Sequence, residues 1–90
     1  VFVKDGCVAC GQLVQRLQSS GAEFDLYMVG SRQDDARIRD WAKRAQIDPA
    51  RVRSGSITLN HDGGRWLSLG LPGDLPAAVR EVNGQWQRQP

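Results

Sequence analysis

The stretch VFVKDGCVACGQLVQRL, residues 1–17, decides the fold, because it joins the signals of a strand, a turn and a helix. Val1–Val3 is a short apolar run that indicates the end of a strand, and Asp5–Gly6 interrupts it. Beyond this turn the apolar side chains recur at i, i+3, i+4 and i+7, one stripe of a helix: Cys10, Leu13, Val14 and Leu17. The helix is expected to end at Ser19–Gly21, because glycine adopts a left-handed conformation at little steric cost.

Two more strands and a second helix are predicted in the middle of the chain. EFDLYMV, residues 23–29, is typical of a strand buried on both faces, as in a parallel sheet. Ser31 and Asp34 have the spacing of a capping box, and a helical apolar stripe follows them at Ile38, Trp41, Ala42 and Ala45. Asp48–Pro49 indicates a brief turn. SITLN, residues 56–60, then alternates apolar and polar side chains, as a half-buried strand does.

The C-terminal third predicts a hairpin and a last helix. HDGG, residues 61–64, contains Asp-Gly, a strong hairpin signal, and RWLSL, residues 65–69, would be the returning strand. GDLPAAVREVNG, residues 73–84, predicts a helix with Asp74 as its cap and a single apolar stripe: Leu75, Ala78, Val79 and Val82. We expect QWQRQP, residues 85–90, to leave the domain.

These elements run in the order β-α-β-α-β-β-α and predict an α/β fold, a mixed sheet flanked by helices. The right-handed crossover rule makes the first two strands parallel and adjacent or nearly so. Ninety residues suit a single domain, residues 1–90. The chain begins at Val1 and shows no signal-peptide pattern. We therefore expect a domain excised from a longer or processed protein, with any targeting segment outside this sequence.

Charge and hydropathy narrow the classes of partner. The net charge is +2, and basic and acidic residues alternate in RQDDARIRDWAKR, residues 32–44. That alternation is typical of a solvated helix face, whereas nucleic-acid binding usually needs a patch of one sign. No apolar run approaches the roughly 20 residues of a membrane-spanning helix. We therefore expect neither nucleic-acid binding nor membrane insertion by this domain, and the oligomeric state stays open.

The two cysteines lie at the predicted strand-to-helix junction. Cys7 falls near the first turn of the helix, where unpaired amides and the helix dipole favour a thiolate over a thiol. Cysteines in this setting can have pKa values of about 3.5–7.5. Cys10 begins the apolar stripe and should be sheltered. One accessible sulfur backed by one sheltered sulfur suits disulfide exchange, in which Cys7 attacks a substrate disulfide and Cys10 then resolves the mixed disulfide.

Two other interpretations of the pair stay open. A structural zinc site needs four ligands, and His61 is the only other strong candidate, so zinc would have to be shared between chains. An inert pair, reduced or closed as a small disulfide, is the second. The C-x-x-C spacing at the start of the first helix of a β-α-β unit favours redox chemistry. We expect no cofactor and no resident metal.

Several other residues are candidates for function, each with a structural alternative. His61 would be a ligand or proton shuttle, or more simply a surface turn residue. Lys4 beside the cysteines would stabilise a thiolate or merely be solvated. Trp41 is expected in the core, whereas Trp66 and Trp86 are equally consistent with a partner-binding patch and with packing. The loop before the third strand should approach the cysteines, and its charges, Arg51 and Arg53, would recognise an acidic partner or contribute little.

The element order and the motif DGCVAC, residues 5–10, resemble the thioredoxin/glutaredoxin superfamily. The coarse pattern covers nearly the whole chain, although only the C-x-x-C motif is specific. The resemblance implies a thioredoxin-like three-layer fold, with Cys7 as the nucleophile and Cys10 as the resolving cysteine. It also implies that protein dithiols or disulfides are the substrates, so that the activity would be that of a thiol–disulfide oxidoreductase.

A narrower resemblance rests on four segments: FDLYMVG at 24–30, DDARIRDWA at 34–42, ITLNHDGGRW at 57–66 and LPGDLPAAV at 71–79. They are similar to the thioredoxin-like domain of a protein family encoded on bacterial integrating conjugative elements. This resemblance implies a part in conjugative DNA transfer, proteins of the conjugation apparatus as partners, and a location in the periplasm or cell envelope.

The chain departs from the superfamily pattern at two places. Family members usually have a cis-proline just before the third strand, but the corresponding position is near Ile57, where no proline occurs and a trans peptide is expected. Val8 and Ala9, between the cysteines, are small and apolar, unlike the proline or histidine of familiar members. These departures leave an alternative function, a non-catalytic thioredoxin-like module that binds a partner and has a structural cysteine pair.

Overall fold

Nine helices and strands are formed in the computed structural model, which describes residues 1–89. Their order is β-α-β-α-α-β-α-β-β. In chain order they are β1 Phe2–Lys4, α1 Val8–Ser19, β2 Phe24–Val29, α2 Asp35–Arg44, α3 Pro49–Ser54, β3 Ile57–His61, α4 Arg65–Leu69, β4 Val79–Val82 and β5 Gln85–Arg88. Among residues 1–89, none of these helices has both the length and the apolar character needed to cross a membrane.

The main sheet has three parallel strands in the order β1-β2-β3. Phe2 pairs with Tyr27, and Phe24 pairs with Ile57. The chain crosses from β1 to β2 through α1, and from β2 to β3 through α2 and α3. The predicted parallel pairing of the first two strands is therefore confirmed, as is the α/β class, although the sheet itself is parallel rather than mixed.

The two faces of this sheet are covered unequally. On one face, α1 and α2 pack over the sheet and enclose the main core: Val3, Cys10, Val14, Leu26, Met28, Ile38, Trp41, Ala42, Ala45, Ile47 and Ile57. On the other face, the Phe2 ring stacks against Tyr27 and packs against Trp66 of the short helix α4. Because α4 has only five residues, most of the buried apolar surface lies under α1 and α2.

The second helix begins three residues later than the sequence indicates. Its cap is Asp34, whose carboxylate accepts hydrogen bonds from the amides of Ala36 and Arg37. Ser31, the expected cap, is buried and uses its hydroxyl to contact His61. The predicted start of the helix was therefore three residues too early, because Asp34, the last residue of the predicted capping box, is itself able to cap a helix.

Residues 65–69 form the helix α4 and not the returning strand of a hairpin. The Asp62 carboxylate is buried and accepts hydrogen bonds from the amides of Gly64 and Trp66, which fixes a helical turn directly after β3. Gly63 and Gly64 both have positive φ, so the Asp-Gly signal did mark a reversal of the backbone. The chain turns there into a helix, because an aspartate at this position also caps helices.

The predicted last helix, residues 73–84, is also wrong. In its place, β4 pairs antiparallel with β5, and the predicted tail therefore lies in a strand up to Arg88, with Pro90 outside the described residues. The reversal is at Asn83–Gly84, where both residues have positive φ. Asn-Gly is a preferred hairpin turn. It predicts the observed hairpin, whereas the helical spacing of the apolar residues before it favoured a helix.

A proline, Pro76, directly precedes the residue that bridges to β1 on the side away from β2. Ala77 forms an antiparallel bridge to Phe2, with both main-chain hydrogen bonds present. Pro76 is the residue directly before Ala77, and the Leu75–Pro76 peptide bond is cis. Near Ile57, where a trans peptide is expected, no cis bond occurs; Leu75–Pro76 is the cis peptide bond found among residues 1–89, and it lies on the side of β1 opposite β2.

Candidate functional site

The two cysteines form a disulfide at the junction of β1 and α1. Their Cα atoms are 5.3 Å apart, within the ordinary range for a disulfide. Cys7 is the N-cap of α1, and the main-chain amide of Cys10 donates a hydrogen bond of 3.1 Å to the Cys7 Sγ. The pair therefore lies where sequence reasoning places it, at the positive end of a twelve-residue helix.

Exposure differs between the two cysteines. Cys7 is half-buried, whereas Cys10 has 0% of its surface exposed and packs in the main core with Val14. The asymmetry follows from the helical stripe, because Cys10 and Val14 are one turn apart on the face that meets the sheet. A reagent in solution can therefore approach the pair only from the Cys7 side.

A groove of about 460 Å³ runs from Cys7 along the outer surface, between α1 and α2. Val8, which lines the groove beside Cys7, is 79% exposed. The groove is lined by Asp5, Gly6, Cys7, Val8, Gly11, Gln12, Gln15, Trp41, Arg44 and Ala45. It gives the accessible sulfur a neighbouring surface on which another molecule can lie.

An ion pair links the two sides of this groove. The Arg44 guanidinium donates to the Asp5 carboxylate at 2.9 Å, and the same carboxylate accepts a hydrogen bond from the Gly6 amide. Both side chains are exposed, so the pair contributes at most about 1 kcal/mol to stability. Its effect at the site is to neutralise a carboxylate two residues from Cys7. Lys4, the candidate for stabilising a thiolate, is exposed at the end of β1.

His61 is the last residue of β3 and not a surface turn residue. Its Nδ1 contacts the Ser31 hydroxyl, and its Nε2 lies 2.7 Å from the Asp35 carboxylate. The hydrogen bond from His61 is the largest of the influences that lower the pKa of Asp35, followed by the charge of His61. The arrangement joins β3 to the start of α2. Because Ser31 is only 2% exposed, its hydroxyl is not available to attack a substrate.

The remaining candidates lie away from the cysteine groove or in the core. Trp41 is buried in the core, as predicted, and also lines the groove. Trp66 packs on Phe2, whereas Trp86 is about half exposed and lines a separate cavity of about 660 Å³ on the other face of the sheet. Among residues 1–89, no group of three or more His, Cys, Asp or Glu side chains is placed to hold a metal ion.

Arg51 does not approach the cysteines. It belongs to α3 and donates to the carbonyl groups of Gln18 and Ala22, at the C-terminal end of α1. A guanidinium favours that end because the unpaired carbonyls carry the negative pole of the helix. Arg53 lies on the same short helix and is exposed. The expectation that this loop faces the cysteines was therefore wrong.

Sequence reasoning missed the residues of α1 that continue the groove beyond Cys7. Gly11 and Gln15 follow Cys7 at intervals of four, which places all three on one stripe of the helix. The apolar stripe of α1 predicts its buried face, whereas the stripe beside it, with Gly11 and Gln15, is the sequence signal for the groove. Comparison of the chain with protein-family models, with curated proteins and with solved structures found no significant match.

Proposed function

We propose that this domain exchanges disulfides with protein substrates, using Cys7 as the exchanging sulfur and Cys10 as its partner. One observation carries the proposal: in a disulfide at a helix N-terminus, Cys7 is half-buried and lines a surface groove, whereas Cys10 has 0% exposure. A purely structural cross-link has no need of that asymmetry. Thiol–disulfide exchange depends on it, because attack must fall on one sulfur and not on the other.

The proposed oxidising cycle starts from the disulfide state. A client thiolate attacks the Cys7 Sγ, the Cys7–Cys10 bond breaks, and its electron pair leaves on the Cys10 sulfur. A second client thiolate then attacks the client sulfur of the mixed disulfide and releases Cys7 as a thiolate. Two electrons pass from the client dithiol to the pair, and the two protons released by the client thiols are available to Cys7 and Cys10. The reducing cycle is the same sequence reversed, with Cys7 attacking a client disulfide.

The local geometry favours charge on Cys7 during either cycle. The amide of Cys10 already donates to the Cys7 Sγ, and a bond of this kind strengthens when its acceptor becomes an anion. The free amides at the start of α1 and the helix dipole act in the same direction. Neutralisation of Asp5 by Arg44 removes a charge that would oppose the thiolate.

The small size of the disulfide loop also favours a redox role. A loop closed by residues only three apart stabilises a fold by about 2 kcal/mol in the chain-entropy description, near the low end for disulfides. A cross-link serving stability alone gains more when it joins distant segments.

The alternative, a non-catalytic partner-binding module, drew its support from the missing proline. Pro76 does precede the segment that bridges to β1, which favours the exchange proposal, whereas Val8 and Ala9 between the cysteines favour the alternative, and the variants below distinguish the two.

We further propose that the domain is thioredoxin-like and acts on envelope proteins of a conjugative element in the periplasm. The parallel β1-α1-β2 unit, the antiparallel Ala77–Phe2 bridge after Pro76 and the following β-hairpin support the fold assignment. The four segments that resemble the conjugative-element family support the biological setting.

The test is reduction of insulin by dithiothreitol, measured with the wild-type domain, with Cys7→Ser and with Cys10→Ser. We expect turnover by the wild type only. Cys10→Ser should accumulate a mixed disulfide through Cys7, since the resolving sulfur is absent. A wild-type rate no higher than that of Cys7→Ser, together with no mixed disulfide in Cys10→Ser, would remove the proposed activity.

A further inference from the structure

Gly11 differs from every other glycine in the chain. The sequence has ten glycines, and nine of them have positive φ, a backbone conformation for which glycine is suited. Gly11 is the exception, because it lies in the interior of α1 with ordinary helical geometry. Its backbone therefore gives no reason for glycine.

Packing inside the domain gives no reason either. A Cβ atom added at Gly11 would meet nothing within 4 Å. By contrast, a Cβ at Gly73 would lie 2.5 Å from the Arg88 guanidinium. Glycine destabilises a helix interior relative to alanine, and here neither the fold of the domain nor its packing requires it. A close approach by another molecule is the remaining physical reason for a missing side chain.

The position of Gly11 indicates which molecule approaches. Gly11 lies one helical turn beyond Cys7, in the floor of the 460 Å³ groove, and Gln15 lies one turn further. The eight residue-to-residue steps from Cys7 to Gln15 rise about 12 Å along the helix, which matches three to four residues of extended polypeptide at about 3.3 Å each. A chain whose sulfur reacts at Cys7 can therefore continue along this stripe.

The polar groups of the groove suit a main chain and carry no net charge. Gln12 and Gln15 line the groove with exposed side-chain amides that have no hydrogen-bond partner among residues 1–89. Each amide offers one acceptor and two donors, the groups that complement peptide N–H and C=O. Arg44 is already paired with Asp5. The groove therefore complements an uncharged backbone better than a charged head group.

We propose that the groove between α1 and α2 receives an extended segment of a client polypeptide next to its reacting cysteine, and that Gly11 lets the client main chain lie against α1. The inference rests on the proposed disulfide exchange and deepens it by naming the surface on which the client main chain lies beside the reacting sulfur. Gly11 is thus a specificity-determining position, with Gln12 and Gln15 as the side chains that hold the client backbone.

The decisive variant is Gly11→Ala, compared with Ser19→Ala as a control on the same helix outside the groove. Alanine should raise the melting temperature by about 4 °C, because a residue with better helix propensity enters open space. We expect exchange with a cysteine-containing extended peptide to slow at least tenfold, and exchange with oxidised glutathione to change by less than twofold. Gly11→Leu should slow peptide exchange further. Ser19→Ala should leave both rates unchanged.

The outcomes separate this inference from the proposed function. Absence of exchange with glutathione and peptide in the wild type would overturn both. Wild-type exchange with both, together with an unchanged peptide rate in Gly11→Ala, would overturn only the groove assignment, as would an equal slowing of both reagents. A second measurement uses the mixed disulfide between Cys10→Ser and the peptide. Nuclear Overhauser contacts from the peptide to Gln15 are expected, and their absence, with contacts only to residues outside the groove, would overturn the groove assignment.

Discussion

The main-chain amide of Cys10 donates a hydrogen bond to the Cys7 Sγ, with 3.1 Å between the two atoms. Cys10 therefore provides the buried sulfur of the pair and also polarises the sulfur of Cys7. This relationship predicts unequal reactivity in the reduced protein. Cys7 should react with iodoacetamide at a pH below about 8.5, where an ordinary free cysteine is mostly protonated. Cys10 should be alkylated only when the domain unfolds. Mass spectrometry of each cysteine across a pH series measures both rates.

Urea provides the control for this prediction. In the unfolded chain the helix and the burial are both lost, so the two cysteines should be alkylated at similar rates with ordinary pH dependence. Equal rates in the folded, reduced protein would contradict the assigned roles.

Reduction of the disulfide should lower the free energy of unfolding by about 2 kcal/mol, because the closed loop is short. The difference should shrink as the pH rises, because the thiolate of Cys7 gains stabilising interactions only in the folded, reduced protein. Urea unfolding of the oxidised and reduced forms at pH 6 and pH 8 measures this. A loss above about 4 kcal/mol, independent of pH, would favour a structural cross-link.

The Asp35–His61 pair predicts a loss of stability in acid. His61 lowers the pKa of Asp35 from its ordinary value of 3.8, chiefly by donating a hydrogen bond to the carboxylate. A carboxyl group with a lowered pKa stabilises the fold at pH above its unfolded value, and that contribution disappears as the pH falls through the folded value. We therefore expect the wild-type melting temperature to fall below about pH 4 more steeply than that of Asp35→Asn.

Asp40→Asn is the matched control, since this exposed aspartate lies on the same helix without a histidine partner. It should keep the acid dependence of the wild type. Identical pH profiles for all three proteins would show that the pair contributes nothing measurable to folding.

The N-terminal half of the fold was predictable because its local signals agree with each other. The turn after Val3, the helical stripe from Cys10 to Val14 and the apolar run of β2 all favour one β-α-β unit. The same stripe predicted the unequal burial of the two cysteines. The groove was harder to predict, because Gly11 and Gln15 become significant only once α2 lies beside them.

The C-terminal half was not predictable because its signals compete. Asp62–Gly63 suits both a hairpin and a helix cap, and only the buried carboxylate of Asp62 decides between them. Residues 75–82 have helical spacing, but Asn83–Gly84 next to them has the turn geometry of a hairpin. The pairing of Ala77 with Phe2 joins segments 75 residues apart, which no local pattern reports.

Arg88 should anchor the β4–β5 hairpin to the rest of the domain. Its guanidinium donates to the carbonyl groups of Pro72, Asp74 and Pro76, and it lies 6.0 Å from the centre of the Trp66 ring. Arg88→Gln should therefore destabilise the hairpin by roughly 1–2 kcal/mol, seen as faster amide hydrogen exchange in β4 and β5. Arg80→Gln, on the same exposed hairpin, should leave exchange unchanged, and equal effects of the two variants would contradict the anchoring role.

Asp34, and not Ser31, should determine the stability of α2. The Asp34 carboxylate accepts two helix amides, so Asp34→Ala should cost about 1 kcal/mol. Asp34→Asn keeps an oxygen acceptor and should lose only the smaller contribution from the negative charge at the helix N-terminus. Urea unfolding monitored by tryptophan fluorescence measures both variants. If Asp34→Ala unfolds at the wild-type urea concentration, the carboxylate does not cap the helix, and the start of α2 depends instead on the Ser31–His61 contact.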